Sequence, residues 1–197
     1  MTPQTTLDRW KLELSVKAKN GVNFMLAAAV IWSIITYIWT LPYSPKDKCA
    51  LTFIVGALML PLAWVFSKLL NTTWSVKENP LDSLGIQLNV AQLFYFPLLF
   101  LLFGKLPDYF VMAYAVITGA HFFPYGWYYK AIAYYVMAGV ISVGAFLISI
   151  NVAPAQLYIV PLFMVVSLLV LAGWLWVIYK ANKRAYESGP ANVAQLT

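Results

Sequence analysis

The stretch AQLYIVPLFMVVSLLVLAGWLWVIY, residues 155–179, contains no charged side chain, and its composition decides the fold class. At 1.5 Å per residue, a helix of this length exceeds the roughly 30 Å of hydrocarbon in a bilayer. A helix that is apolar on every face must be buried all round, either in a large core or in lipid. The stretch therefore predicts a membrane-spanning helix.

Further apolar runs precede this stretch, and together they predict a bundle of six spanning helices. The other runs cover residues 21–41, 49–70, 84–104, 110–127 and 131–150. Short breaks such as LPYSPKDK and KLPD separate the runs, so consecutive helices should be antiparallel neighbours. The chain is 62% hydrophobic and 10% charged, which lies far outside the composition of soluble domains. We expect an all-α integral membrane protein with a six-span transmembrane helix bundle.

The segment before the first run predicts a short N-terminal helix at the membrane surface. Leu7, Trp10 and Leu14 fall on one helical face, and basic residues surround them. This amphipathic helix should lie along the cytoplasmic interface, where it either senses lipid or only anchors the first span. The expected organisation is an interfacial helix in residues 1–20, a transmembrane domain in residues 21–180 and a cytoplasmic tail in residues 181–197.

Basic residues predict the orientation of the bundle. With the N-terminus inside, ten of the 13 Lys and Arg residues lie on the inner side, against Lys46, Lys48 and Lys105 outside. Because basic loops stay in the cytoplasm, both termini should be cytoplasmic. The chain is similar in general appearance to small bacterial multi-span proteins, so we expect the bacterial cytoplasmic membrane. Topology accounts for the net charge of +6, so the lipid bilayer is the expected partner and nucleic acid is not.

The spans lack the residues that most catalytic and metal sites need. No acidic or basic side chain lies securely within the six runs, although coupled transporters usually contain such residues. The single histidine excludes a histidine metal cluster, and the single Cys49 excludes a cysteine cluster or an intramolecular disulfide. We therefore expect no metal, no cofactor and no catalytic residue. An intramembrane enzyme that uses His121 as a base is a third interpretation, after a ligand-binding protein and a structural partner.

Uncharged polar side chains gather near the inner ends of the third and fourth runs. Gln87, Asn89 and Gln92 lie in the third run, and Thr118 and His121 lie at a similar depth in the antiparallel fourth run. An unpaired amide or imidazole in hydrocarbon costs about 2–7 kcal/mol, so these groups should face each other or water. We predict an inner-side pocket that binds or passes a small uncharged or aromatic ligand. Its predicted aromatic wall comprises Tyr95, Phe122, Phe123, Tyr125, Trp127 and Tyr134.

The same polar groups also fit a purely structural role. As interhelical hydrogen bonds they would contribute about 0.6 kcal/mol each, and the chain would then be a non-catalytic assembly partner of another membrane protein. Gly139, Ser142 and Gly144 in the fifth run permit close helix approach, so they are the predicted contact of a homo-oligomer.

Prolines inside three runs predict kinks. Pro61, Pro97 and Pro161 fall within the second, third and sixth spans, and each removes one backbone hydrogen bond. Kinked helices would make room for the predicted pocket.

Overall fold

The structure, a computed structural model, describes residues 3–188, and every regular element in that range is helical. The α-helices are α1 (Pro3–Lys17), α2 (Val22–Thr40), α3 (Pro45–Gly56), α4 (Met59–Leu70), α5 (Asp82–Leu93), α6 (Phe96–Lys105), α7 (Phe110–His121), α8 (Phe123–Tyr128), α9 (Ile132–Asn151) and α10 (Ile159–Glu187). Short 3₁₀ helices occupy Lys19–Gly21, Pro107–Tyr109 and Pro154–Gln156.

Five segments of the described chain are long and apolar enough to cross a membrane. They are Lys19–Thr40, Pro45–Leu70, Asp82–Lys105, Ile132–Asn151 and Pro154–Glu187. The protein is therefore all-helical with five candidate membrane-spanning segments.

The predicted fourth span corresponds to α7 and α8, and it is not among these five segments. The two helices meet at Phe122, two residues before Pro124, whose missing amide hydrogen interrupts the hydrogen-bond ladder. His121 and the Tyr, Trp and Gly residues of this segment also lower its hydropathy. The count of six spans stays a prediction.

Two of the three prolines lie just after interruptions in helical segments. The break between α3 and α4 precedes Pro61, and the break between α5 and α6 precedes Pro97. The linking residues keep right-handed helical dihedrals, so each segment continues in roughly the same direction. Pro161 lies in the first turn of α10, where a missing amide hydrogen costs little, and α10 continues without interruption to Glu187.

The core lies where α10 packs along α2 and α7 packs along α9. In the most apolar stretch of Lys19–Thr40, 61% of the residues are buried, whereas the corresponding value for Asp82–Lys105 is 6%. Helices α3 to α6 are therefore peripheral. Phe53 of α3 connects them to the core, because its ring contacts Phe100 of α6 and Phe110 of α7.

Helix α1 packs against α10 and α8, and we call this end of the bundle the α1 end. Its buried side combines Leu14 with the polar Lys11 and Ser15. The loop between α4 and α5 also contacts α1, because the buried Asn79 amide donates a hydrogen bond of 2.9 Å to the Glu13 carboxylate. The interfacial, amphipathic position expected for α1 stays a prediction.

The C-terminal helix runs further than the predicted end of the last span at residue 179. Helix α10 ends at Glu187, so it includes the first residues of the expected tail 181–197. The rest of that tail, residues 189–197, lies outside the described residues.

Candidate functional site

A tight turn joins α1 to α2 and places a buried amide at the α1 end. Lys19, Asn20 and Gly21 have φ values of 48°, 54° and 73°, which lie in the left-handed region. The Asn20 side chain is fully buried; its Oδ1 accepts from the Ser15 hydroxyl at 2.6 Å, and its Nδ2 donates to the Leu175 carbonyl at 3.0 Å. The turn thus connects α1 to the middle of α10 through one side chain.

The same turn packs on aromatic rings. The Tyr134 hydroxyl donates to the Asn20 carbonyl at 2.7 Å. A methyl group placed on Gly21 would lie 3.1 Å from that hydroxyl and 3.6 Å from the Tyr129 ring, so glycine suits both the space and the backbone conformation. Tyr129, which follows α8, and Tyr134 of α9 therefore pack directly on the α1–α2 turn.

Six ring-bearing residues form what we call the aromatic cluster: His121, Phe122, Tyr125, Tyr128, Tyr129 and Tyr134. Tyr125 is at the centre, with ring centroids 5.3 Å from His121, 5.7 Å from Tyr134, and 6.0 Å from both Tyr128 and Tyr129. Such separations are those of favourable edge and offset contacts between aromatic rings. The end of α7, helix α8 and the start of α9 bring these rings together.

The aromatic cluster contains polar groups without a hydrogen-bond partner in the described part of the chain. The Tyr125 hydroxyl is buried and unpaired. The half-buried imidazole of His121 likewise makes no hydrogen bond within residues 3–188. Leaving a buried hydroxyl unpaired costs about 1–3 kcal/mol, so the cluster carries unsatisfied hydrogen-bonding capacity.

Helix α1 covers the outer surface of α8 through charged side chains. The Lys11 ammonium lies 3.5 Å from the centre of the Trp127 ring, a cation–π contact. Asp8 and Lys130 form an ion pair at 3.1 Å. Burial lowers the pKa of Lys11, and the neighbouring carboxylate of Asp8 opposes that effect.

A model of one protein family matches residues 7–178, which include nearly all of the helices described above. The chain belongs to DUF7010, a family of unknown function. No curated protein and no solved structure matches the chain. The region that defines DUF7010 membership contains both the Lys19–Gly21 turn and the whole aromatic cluster.

Four of the predicted site residues come together in this DUF7010 chain. His121, Phe122, Tyr125 and Tyr134 all belong to the aromatic cluster. Thr118 lies one turn before them on α7, and its hydroxyl donates to the Tyr114 carbonyl of the same helix at 2.8 Å.

The predicted residues of the third run lie on α5 and α6, and α5 contacts the aromatic cluster at Gly85, where an added methyl group would lie 2.8 Å from the Tyr128 hydroxyl. Gln87, Asn89 and Tyr95 are exposed, and Gln92 is half-buried. The Asn89 amide donates to the Gly85 carbonyl in its own helix at 2.9 Å. A pocket that joins these residues to His121 stays a prediction.

Two surface depressions lie elsewhere on the bundle. One, of about 470 Å³, is at the end of α4 and is lined by Trp64, Ser67, Lys68, Asn71, Thr72 and Trp74. The other, of about 380 Å³, is lined by Tyr43, Asp47, Ala50 and Leu51. Within residues 3–188, no group of three or more His, Cys, Asp or Glu side chains is placed to hold a metal ion.

Sequence reasoning missed the hydrogen-bonded residues of the α1–α2 turn. Asn182 of α10 donates to the Ser15 hydroxyl at 2.8 Å, which in turn donates to Asn20. The available signal was the Asn-Gly dipeptide at residues 20 and 21, which is typical of tight turns with positive φ. Residue 20 was expected only to end the N-terminal segment, because the neighbouring residues do not indicate which groups the Asn20 amide would bind.

Two of the three small residues expected at a homo-oligomer contact instead make contacts with other helices of the same chain. The Ser142 hydroxyl donates to the Val116 carbonyl of α7 at 3.2 Å. Gly144 faces Phe163, whose ring would lie 2.5 Å from an added methyl group. Gly139 is exposed and has open space around its Cα. An oligomer contact through these three residues stays a prediction.

Proposed function

We propose that this chain is a membrane protein that binds, or passes, a small uncharged or aromatic ligand at the aromatic cluster. The observation that carries the proposal is the buried Tyr125 hydroxyl, which has no hydrogen-bond partner in the described residues and lies beside the equally unpaired imidazole of His121. Lipid cannot supply hydrogen bonds, so a polar ligand atom would satisfy these groups.

The spacing of residues along α7 and α8 supports a site on one side of the bundle. Tyr114, Thr118, His121 and Tyr125 follow one another at helical intervals, on the face opposite to Gly119, which packs against α9. His121 on this face is half-buried, so a ligand could reach its imidazole from the side.

The chemistry of the site supports an uncharged ligand. A phenol and a neutral imidazole each donate and accept hydrogen bonds, and neither brings a fixed charge. The surrounding tyrosine rings favour a planar molecule, because they offer faces and edges for ring contacts. The proposed ligand is thus a ring-bearing molecule with a hydroxyl, carbonyl or ring nitrogen at its edge.

Ligand-induced stabilisation tests this proposal with the full chain in detergent. Indole, simple phenols and benzoquinones are the first probes, and the melting temperature is the measurement. We expect Tyr125→Phe and His121→Gln to raise the ligand Kd about two- to twelvefold, the effect of one lost hydrogen bond, and so to reduce the ligand-induced rise in melting temperature. Unliganded Tyr125→Phe should melt at or above the wild-type temperature, because it removes an unpaired buried hydroxyl.

Tyr43→Phe is the matched control, since Tyr43 is an exposed tyrosine distant in sequence from the cluster. It should leave the ligand response unchanged. If every probe that stabilises the wild type stabilises all three variants equally, or if no neutral aromatic probe stabilises the wild type, the proposed site is wrong.

We propose in addition that residues 110–128 form a sixth span and that both termini are cytoplasmic. Phe122 keeps helical dihedrals of −71° and −23°, so α7 and α8 can act as one rod of roughly 28 Å. This rod packs along α9, itself a candidate span. The basic residues support the orientation. The proposed location is the cytoplasmic membrane of a bacterium.

Reporter fusions test this topology. We expect a fusion after Lys105 to report the outside, and fusions after Lys130 and after Thr197 to report the cytoplasm. Alkaline phosphatase and green fluorescent protein give opposite signals on the two sides, so each position has an internal check. Lys105 and Lys130 on the same side would remove the sixth span, and an external Thr197 would mean that the number of spans is wrong.

A further inference from the structure

One face of α5 carries an apolar seam with one amide in it. Ile86 and Leu93 are both more than half exposed, and the exposed Asn89 lies between them. The intervals of three and four residues place all three on one side of the helix, as in the contact seam of paired helices. The segment Asp82–Lys105 is also the least buried of the five candidate spans.

The hydrogen-bonding capacity of Asn89 is only partly used. One N–H of its amide donates to the Gly85 carbonyl at 2.9 Å. The other N–H and the Oδ1 have no partner within residues 3–188. One donor and one acceptor therefore remain on the same exposed side chain.

This amide lies inside the candidate span Asp82–Lys105. Helix α5 begins at Asp82, whose carboxylate accepts hydrogen bonds from the Val76 amide and the Ser75 hydroxyl of the polar loop. Asn89 is seven residues further along, about 10 Å from that end of the helix. Lipid chains offer neither a donor nor an acceptor at this depth, so another protein surface must supply both.

We propose that a second copy of this chain docks on the seam, with the two Asn89 amides paired across a twofold axis. One free donor and one free acceptor make the amide complementary to itself. Two copies inserted in the same orientation are related by an axis along the membrane normal, so identical residues meet at identical depth. Ile86 and Leu93 would then flank the amide pair, an arrangement in which a single polar residue sets the register of an apolar seam.

This interface differs from one through Gly139, Ser142 and Gly144. Ser142 already bonds to α7, and Gly144 already packs against α10. In contrast, nothing in the described chain covers the seam on α5. The proposed dimer does not depend on the aromatic cluster or its ligand.

Cysteine cross-linking in membranes tests the seam. The background is Cys49→Ser, which removes the single native cysteine. We expect Leu93→Cys in this background to form a disulfide-linked dimer under mild oxidation. The matched control is Val143→Cys, an exposed position at a similar distance along α9, which should stay monomeric. Gly139→Cys is tested in the same background. A dimer through Val143→Cys or Gly139→Cys, and not through Leu93→Cys, would assign the contact to α9 and overturn the proposal. The absence of a dimer at all three positions would mean a monomer and would also overturn it.

The role of the amide is tested by resonance energy transfer between labelled full-length copies diluted in lipid. We expect Asn89→Leu to raise the dissociation constant of the dimer about threefold to thirtyfold, the range found for interhelical polar contacts. Asn89→Gln keeps a self-complementary amide and should lie closer to wild type. Unchanged dimerisation in Asn89→Leu would contradict the amide pairing, even if the Leu93→Cys dimer forms.

Discussion

Replacement of Asn20 by alanine should destabilise the protein by about 3–5 kcal/mol. The side chain is fully buried, and its loss leaves the Leu175 carbonyl without its donor and the Ser15 hydroxyl without its acceptor. Each unpaired buried group costs about 1–3 kcal/mol. Alanine also fits the left-handed conformation, φ 54°, less well than asparagine does. Thermal unfolding in detergent, followed by tryptophan fluorescence, should show a melting temperature lower by roughly 6–20 °C.

Two further variants separate the causes of this effect. Asn20→Gly tolerates the positive φ but lacks the amide. Its loss of stability relative to wild type therefore measures the contribution of the hydrogen bonds alone. Asn151→Ala is the control, because Asn151 is exposed and bonds only to the Leu147 carbonyl of its own helix. That change should stay within about 0.5 kcal/mol of wild type. Equal melting of Asn20→Ala and Asn151→Ala would show that the buried network contributes nothing to stability.

Replacement of Gly119 by alanine should destabilise the contact between α7 and α9 by about 1–3 kcal/mol, the usual cost of overpacking. The added methyl group would lie 2.6 Å from Cγ2 and 3.0 Å from Cβ of Ile141, and 2.8 Å from the Ser142 hydroxyl. Ile141 is fully buried and cannot rotate away, so the two helices must separate. The melting temperature of the full chain in detergent is again the measurement.

Gly139→Ala is the matched control for this substitution. Gly139 is a helical glycine of α9 with no neighbouring atom within 4 Å of an added methyl group. Alanine favours the helix by up to about 1 kcal/mol, so this variant should be neutral or slightly stabilised. If both glycine variants melt at the same temperature, close contact at Gly119 does not limit the packing of α7 on α9.

The helix positions were largely predictable because each follows from a local property of the chain. The apolar runs 21–41, 49–70, 84–104, 131–150 and 155–179 overlap the five candidate spans. Breaks in the second and third spans could be expected from Pro61 and Pro97, since the missing amide hydrogen acts on its own helix. Pro161 was misjudged as a kink because the sequence does not show that α10 begins only two residues earlier.

The proximity of four predicted site residues followed from the sequence, whereas a pocket that joins them to Gln87 and Asn89 stays a prediction. His121, Phe122, Tyr125 and Tyr134 are close in sequence, and their cluster follows from the short connection between α8 and α9. The expected partners Gln87 and Asn89 depended on how α5 is rotated against α7, and both are exposed. In a spanning helix every face is apolar, so periodicity does not reveal which face points inward.

The sequence by itself determined an all-helical chain with helices long and apolar enough to cross a membrane, because long uncharged runs with internally paired backbones are stable in hydrocarbon. Tertiary structure alone decided which polar groups have partners. Asn20 reaches Leu175 across the bundle, Asn89 bonds only to its own helix, and Tyr125 has no partner in the described chain. An amide or a hydroxyl can be satisfied equally well by its own helix, a neighbouring helix or a ligand. Only the packing of the helices decides which of these partners lies within hydrogen-bonding distance. Residue spacing along the chain does not reveal those distances.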